Sequence, residues 1–461
     1  MSVRKKPSTI SDGVRARGAS LVSPARGAAF EILRRVEEEG AFASVLLASL
    51  GEELSAQDRA LCYELVMGVL RRQLWLDRLI DHYAGRSAQR LDAPVRLALR
   101  LGLYQLRFLS RVPIRAAVNE SVNLVRLARL RSAEGFVNAV LRRAAREPDY
   151  DPAIDVSDPI ERLAVETSHP AWLIERWASA FGLKEAEAFA RSNNEAPPVA
   201  FRVTTAQRAN ETAVLNELRG AGGNLKPSQI APDAWRIEGA AKLLREMAHD
   251  GRVYIQDEAS QLVAHALDAQ AHDRVLDVCA APGSKTTHLA TKTPRPTFIV
   301  AGDLYEHRLR TVIEAGARQG TSLIRAVVFD AAAALPLRDQ SFERVLVDAP
   351  CTGTGTLRRN PEIRWRITNQ DIAELAARQQ RILANASKMV RRGGLLVYST
   401  CSIEPEENEA IVAAFLSEND AFRQIRMPQL APFETASGAA RTWPHKGGAD
   451  GFFIAAVERK S

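Results

Sequence analysis

The chain has 461 residues, room for about three domains at roughly 150 residues each. Apolar residues make up 46% and charged residues 25%, which excludes a disordered chain, a collagen-like fibre and a disulfide-stapled miniature. The formal net charge is +7, enough to permit a nucleic-acid partner without requiring one. The basic excess is uneven: Arg4, Lys5, Lys6, Arg15, Arg17 and Arg26 face only Asp12, so residues 1–23 read as a solvated, disordered basic tail. Its Arg- and Ser-rich composition superficially resembles an organellar transit peptide, but it lacks the apolar core of a secretory signal. Cys62, Cys279, Cys351 and Cys401 lie far apart with no CxxC pair. That argues against zinc or any other metal and against a disulfide framework, and it fits a reducing, cytoplasmic compartment. No run of about 18 apolar residues exists, so no membrane span is expected.

Residues 24–147 carry helical periodicity. Ala28, Ala29, Ile32, Leu33 and Val36 recur at helix spacing, as do Leu97, Leu101, Tyr104 and Phe108 with Arg100 and Arg107 between them. Ser55 and Asp58 open another helix, Pro94 begins one, and Pro113 interrupts the chain between two. The spacing predicts an all-helical bundle, whose arginines are either a solvated face or an RNA-binding one. Residues 148–198 read as a helical linker, with His169 a turn residue beside Pro170 and a break at Pro197-Pro198. Alternating runs at Val199–Val203 and Val253–Ile255, around a helix near Ala213–Leu218, predict a small α+β module (ferredoxin/RRM-like) over 199–255.

From residue 256 to 461 short apolar strands alternate with helices. The strands are expected at Arg274–Val278, Phe298–Ala301, Ala326–Phe329, Arg344–Val347, Leu395–Tyr398 and Gly451–Val457. Such runs predict a doubly wound, mainly parallel α/β sheet of Rossmann-like type, with ligands bound beyond the carboxyl ends of its strands.

Those ends hold the residues of interest. The first strand runs into Cys279-Ala280-Ala281-Pro282-Gly283-Ser284-Lys285, a small-residue loop before a helix, which lets backbone N–H groups approach a ligand. It is neither a dinucleotide fingerprint nor a P-loop. The next three strands end in Asp303, Asp330 and Asp348. Each could be a helix N-cap, but three in succession with the loop favour a nucleoside-type cofactor without phosphates, such as S-adenosylmethionine. Cys351 and Cys401 fall at the same edge of adjacent strands. A buried cysteine is commonly a small hydrophobe, yet two at a ligand-binding edge point to chemistry. Methylating pyrimidine carbon 5 calls for a thiolate that first adds to carbon 6.

The blocks VLDVCAAPGSKTTHLA, LVDAPCTGTGTLRRNPEIRW and LVYSTCSIEPEENE, with Asp450–Phe453, resemble RNA cytosine carbon-5 methyltransferases of the bacterial RsmB (Sun/Fmu) family. GLYQLRFLSRVPIRAAVNESV and FVNAVLRR resemble its NusB-like RNA-binding domain. The resemblance covers the chain from Pro24 onward. It implies a NusB-like bundle, the small module and a class I methyltransferase domain, with S-adenosylmethionine as cofactor and 16S rRNA as partner. It assigns Cys401 as the nucleophile, which spacing alone does not, and Cys351 to product release. Asp348 would hydrogen-bond the reacting base, Cys279 to Lys285 would cradle the methionine end of the cofactor, Asp303 its ribose and Asp330 its adenine. Two departures stand out: Ser284 where glycine is commoner, so that Ser284 must accept that glycine's backbone geometry, and Thr352-Gly353 after the Pro-Cys pair. Arg358, Arg359, Arg364 and Arg366 would clamp phosphates, and Trp365 would either stack a base or pack in a core. A sister enzyme acting on another rRNA or tRNA cytosine, and a non-catalytic RNA-binding assembly factor, are the alternatives. Nothing in the sequence demands a dimer, so a monomer is expected.

Overall fold

The computed structural model describes residues 22–50, 54–292 and 298–461; nearly all of the predicted basic tail lies outside them. The described residues form two compact units, one running up to Glu195 and including Arg358–Arg366, the other Ala196–Leu357 with Ile367–Ser461.

The first unit is helical: α1 (Pro24–Glu38), α2 (Ala43–Ala48), α3 (Ala56–Arg71), α4 (Gln73–Ala84), α5 (Ala93–Phe108), α6 (Ile114–Leu127), α7 (Glu134–Arg146), α8 (Pro159–Thr167), α9 (Ala171–Phe181) and α10 (Leu183–Ser192). Ser55 caps α3 by accepting the Asp58 N–H, and Pro94 sits in the first turn of α5, both as expected. Ile32, Leu33, Leu65, Leu97, Leu101 and Leu141 form its core. Inside that apolar bundle Arg100 is 3% exposed. Its Nε and Nη2 each meet Asp77 at 2.7 Å and its Nη1 meets Glu37 at 3.0 Å. Burial alone would lower the Arg100 pKa, but Asp77 and then Glu37 outweigh it and hold the pKa above the ordinary value.

The second unit holds two sheets. The smaller contains β1 (Val199–Val203), β2 (Asn224–Pro227), β3 (Ala234–Glu238) and β4 (Val253–Ile255), with α11 (Glu211–Gly220) and α12 (Ala241–His249). Its antiparallel order is β2-β3-β1-β4. Phe201, Leu215, Leu218, Ile237 and Met247 pack beneath it.

After α13 (Glu258–Leu267) comes the larger sheet: β5 (Arg274–Asp277), β6 (Phe298–Asp303), β7 (Ile324–Val328), β8 (Phe342–Asp348), β9 (Val390–Thr400), β10 (Phe422–Ile425), β11 (Ala440–Arg441) and β12 (Phe453–Arg459). The helices between and after them are α14 (Ser284–Lys292), α15 (Glu306–Arg318), α16 (Ile363–Arg366, within the helical unit), α17 (Asn369–Met389) and α18 (Glu409–Glu418). The order β10-β12-β9-β8-β5-β6-β7 is parallel from β7 to β9, whereas β12 runs antiparallel to β9 and pairs with β10 and β11. The sequence reading placed the six main strands but missed β10 and β11, which are too short to show a period. Leu276, Val345, Val347, Leu396 and Tyr398 pack on one face with α17 and α18, while Val275, Leu346 and Val397 pack on the other with α13 and α14. Both faces are covered, which is why these strands are continuously apolar. Strand order reverses between β5 and β8, the point on an open α/β sheet beyond whose carboxyl ends ligands bind. Among the described residues no helix is long and apolar enough to cross a membrane.

Asp77→Ala is expected to strand the Arg100 charge with only Glu37 beside it. The loss should be about 3 kcal/mol, read as a lowered first unfolding transition in urea.

Candidate functional site

The loop after β5 packs close to its neighbours. Ala280 N–H donates to the Gly302 carbonyl at 2.8 Å, and Gly283 N–H to the Ala280 carbonyl at 2.7 Å. Gly283 has φ +103°, which strains any side chain placed there, and a Cβ would also press on Val312 at 3.2 Å. Ser284, by contrast, begins α14 and is not among the residues with positive φ. The left-handed conformation falls on Gly283, so the geometry that Ser284 has to accept is that of an ordinary first helical residue. Asp277 ends β5, 1% exposed. Its carboxyl accepts the Thr286 hydroxyl at 2.7 Å and the Cys279 N–H at 3.3 Å. Burial pushes it up to about 7, with Asp348 adding to the shift. Cys279 is likewise pushed up by burial and then by Asp277, so it stays an inert thiol in this loop.

Asp348 closes β8. Lys285 Nζ lies 2.7 Å from its Oδ2, and Ser399 Oγ donates to its Oδ1 at 2.8 Å. Lys285 is 8% exposed and sits 5.2 Å from the Phe452 ring centre. Burial works against its charge, but Asp348 prevails and holds it above the ordinary lysine pKa. Beyond Asp348 the Cys351 and Cys401 sulfurs stand 3.3 Å apart. Hydrogen bonding to Cys401, then burial, raises the Cys351 pKa well above the ordinary value, which keeps Cys351 protonated.

The three strand-end aspartates separate in role. Asp330 is exposed and accepts the Ala332 N–H at 2.9 Å, the local turn bond of an N-cap-like residue. Asp303 is 6% exposed, accepts the Tyr305 N–H at 3.1 Å and pairs with Arg308 at 3.3 Å. Only Asp348 spends its carboxylate on the thiol edge. A buried carboxyl near pH 7 at Asp277, the Asp303 carboxylate and the close backbone around Gly283 form a polar lining without a phosphate cradle. That donor set suits a nucleoside carrying an amino-acid arm: an ammonium for Asp277, hydroxyls for Asp303 and N–H groups for a carboxylate.

Sequence reasoning missed the frame behind the cysteines. Glu407, 0% exposed, accepts the Thr352 N–H at 3.0 Å, the Thr352 hydroxyl, and Gln379 Nε2 at 2.9 Å. Gln379 also donates to the Pro350 carbonyl at 2.9 Å. Burial raises the Glu407 pKa. On the other loop Asn408 accepts the Thr400 hydroxyl at 2.6 Å and donates to the Ser402 carbonyl at 2.9 Å. Gly355 N–H donates to the Cys401 carbonyl at 2.9 Å, and a Cβ at Gly355 would lie 1.9 Å from the Gly451 carbonyl. The run of acids in EPEENE is the one signal that could have found Glu407.

The phosphate-clamp reading of Arg358, Arg364 and Arg366 is corrected. Arg358 is 3% and Arg364 0% exposed. Arg364 donates to the carbonyls of Ser168 at 3.0 Å and Asn193 at 3.4 Å and to Asn194 Oδ1 at 3.1 Å. Arg366 donates to the carbonyls of Val36, Gly40 and Ala41. The Arg364 and Arg366 guanidinium groups satisfy backbone carbonyls left over where helices end. His169 is a turn residue, as expected, but fully buried: burial and then Arg364 lower its pKa well below the ordinary value, so it is neutral. Trp365 is half-buried, with its indole N–H buried and unpaired.

Family models match residues 23–146 (NusB family), 169–243 (RsmF/B-like methyltransferase, ferredoxin-like domain) and 264–458 (16S rRNA methyltransferase RsmB/F). The chain is 36% identical over 446 residues to a Bacillus subtilis protein named "Probable ribosomal RNA small subunit methyltransferase B", covering 94% of this chain and 98% of the relative. It is 33% identical over 442 residues to ribosomal RNA small subunit methyltransferase B of Yersinia pestis bv. Antiqua, with 94% and 98% covered. The crystal structure of PH0851 superposes with a TM-score of 0.80 at 27% identity, over 96% of this chain and 100% of that one. The resemblance read from the sequence blocks and the three-part fold are both borne out.

Asp277 yields a pH prediction. Its folded pKa near 7 exceeds the unfolded value near 3.8, so the folded state holds the extra proton between them and stability falls as pH rises through that window. Asp277→Asn removes this dependence. The melting temperature of the variant minus that of wild type should therefore increase between about pH 4 and pH 7, and a flat difference would contradict the assignment.

Proposed function

The chain belongs to the ribosomal RNA small subunit methyltransferase B (RsmB/F) family, and from that premise we propose that it methylates carbon 5 of a cytosine in 16S rRNA, using S-adenosylmethionine, through a covalent adduct with Cys401. The observation that carries this reading is the pair of sulfurs 3.3 Å apart beside the Lys285–Asp348 ion pair. Methyl transfer to an amine or hydroxyl calls for no thiol, whereas carbon 5 becomes nucleophilic only after a thiolate has added to carbon 6. The relatives' names, which speak of the small-subunit ribosomal RNA, support the choice of substrate.

Cys279 to Lys285, Asp277 and Asp303 would hold the cofactor, with Asp330 at the adenine end. When bound, S-adenosylmethionine supplies an electrophilic methyl group. The Cys401 thiolate adds to carbon 6, and the ring's electron pair moves toward carbon 5. Asp348, held in place by Lys285 and Ser399, accepts a hydrogen bond from the base while the Lys285 ammonium offsets the negative charge that develops. Once carbon 5 bears the methyl group, its proton must leave as the carbon–sulfur bond breaks. The Cys351 thiol gives its proton to the departing Cys401 sulfur and, as the thiolate so formed, takes the carbon-5 proton; the site then holds two thiols and an aromatic product, and Cys401 regains its thiolate by losing one proton to solvent. The target base must be unstacked to reach these groups.

The test incubates wild type, Cys401→Ser and Cys351→Ser with labelled S-adenosylmethionine and unmodified 16S rRNA, following both methylated cytosine and denaturant-resistant protein–RNA adduct. Cys401→Ser should form no adduct and lose at least about a thousandfold in rate. Cys351→Ser should accumulate adduct with little product. The reverse pattern would exchange the two roles. Wild type giving neither product nor adduct would favour an RNA-binding assembly factor.

A further inference from the structure

Arg202 belongs to β1 of the small sheet and is 1% exposed, yet its guanidinium reaches the start of α14. Nη2 donates to Thr287 Oγ1 at 2.9 Å, to Gln319 Oε1 at 3.1 Å and to the Ser284 carbonyl at 3.5 Å. Nε meets Gln256 Oε1 at 3.2 Å and Nη1 meets Thr291 Oγ1 at 3.4 Å. The Tyr254 ring covers it at 4.9 Å. All of these acceptors are uncharged. Burial pulls the guanidinium down to about 9, so it remains a cation at neutral pH.

A buried cation among neutral groups has given up hydration without gaining a counter-charge. Apolar packing would be the more stable choice, and the placement suggests what the charge is kept for. Thr287 Oγ1, which accepts from Arg202, donates in turn to the Gly283 carbonyl at 2.8 Å. The relay therefore runs from β1 to the one residue of the loop with left-handed backbone, and it ends behind the first turn of α14. The N–H groups and positive dipole end of that turn already favour an anion.

We propose that Arg202 is a positioning residue for the cofactor, holding the Gly283–Lys285 turn through Thr287 and placing a positive charge behind the helix end that meets the carboxylate of the cofactor's amino-acid arm. The small sheet thereby takes part in cofactor binding. This rests on the S-adenosylmethionine reading above.

The test compares two ligands that share the nucleoside and thioether: S-adenosylhomocysteine, which has the amino-acid arm, and 5′-methylthioadenosine, which lacks it. Their dissociation constants are measured by calorimetry on full-length wild type, Arg202→Met, Arg202→Lys and Thr287→Val. Arg202→Met should weaken S-adenosylhomocysteine about tenfold, the size of a partly buried helix-terminus charge effect, and leave methylthioadenosine within about twofold. Arg202→Lys should recover part of the loss, and Thr287→Val should show a smaller loss of the same selectivity. Without ligand the melting temperature of Arg202→Met should fall, because Gln256, Gln319 and the Ser284 carbonyl lose their donor; the selectivity between the two ligands is therefore the readout that a merely structural role would not move. If Arg202→Met does not fold, the other two variants carry the same comparison. Equal weakening of both ligands would reduce Arg202 to a packing role, and no weakening of either would overturn the proposal. Wild type that bound neither ligand would remove the S-adenosylmethionine reading itself, a result separable from the others because it needs no variant.

Discussion

The Lys285–Asp348 ion pair is the contact on which the site depends. It joins the first turn of α14 to the end of β8 at 2.7 Å, where the order of the parallel strands reverses. Ser399 of β9 then fixes the other oxygen of the same carboxylate at 2.8 Å. Three chain segments that arrive from different parts of the sequence are thus registered on one carboxylate: the small-residue loop, the Pro-Cys turn and the Thr-Cys turn. With Lys285 buried and Asp348 half-buried, the pair contributes little net stability, because the ammonium loses its hydration. What it supplies is placement: the ammonium cannot leave Asp348 without stranding a charge.

Behind that pair lies a polar network with nearly every group matched. Glu407 gathers Thr352 and Gln379, Asn408 gathers Thr400 and Ser402, and Gly355 is threaded between the Cys401 carbonyl and Gly451. Networks of buried hydrogen bonds tolerate few alternative arrangements, since each unmatched group is costly in a low dielectric. The two cysteine loops are therefore rigid although they contain no regular secondary structure at the sulfurs. A reaction that needs two sulfurs within one proton transfer of each other requires such a frame.

Buried arginines recur, and each is solved differently. Arg100 is neutralised by Asp77 and Glu37. Arg364 is surrounded mainly by backbone carbonyls, and burial pulls it down to about 9, with Arg71 and Arg72 adding to the shift. Arg202 sits among neutral hydroxyls and amides. A planar group with five donors can satisfy carboxylates, carbonyls or hydroxyls alike. For that reason Arg358 and Arg364 look like parts of a phosphate clamp in sequence and are buried in the fold.

The amino-acid sequence by itself determined the element types, the strand-end position of Asp303, Asp348, Cys351 and Cys401, and the glycine at the tight turn of the loop, because periodicity and turn chemistry are local properties. It also sufficed for the family, through three blocks that lie on adjacent strand ends. Only the tertiary structure decided that Asp348 faces Lys285, that Glu407 braces Cys351's loop, and that Arg202 reaches α14. Those pairings join residues 63, 55 and 85 positions apart in the chain. Which carboxylate meets which cation across such spans is set by strand order and by which face of an element is buried. Neither is written in the residues on either side of a charge.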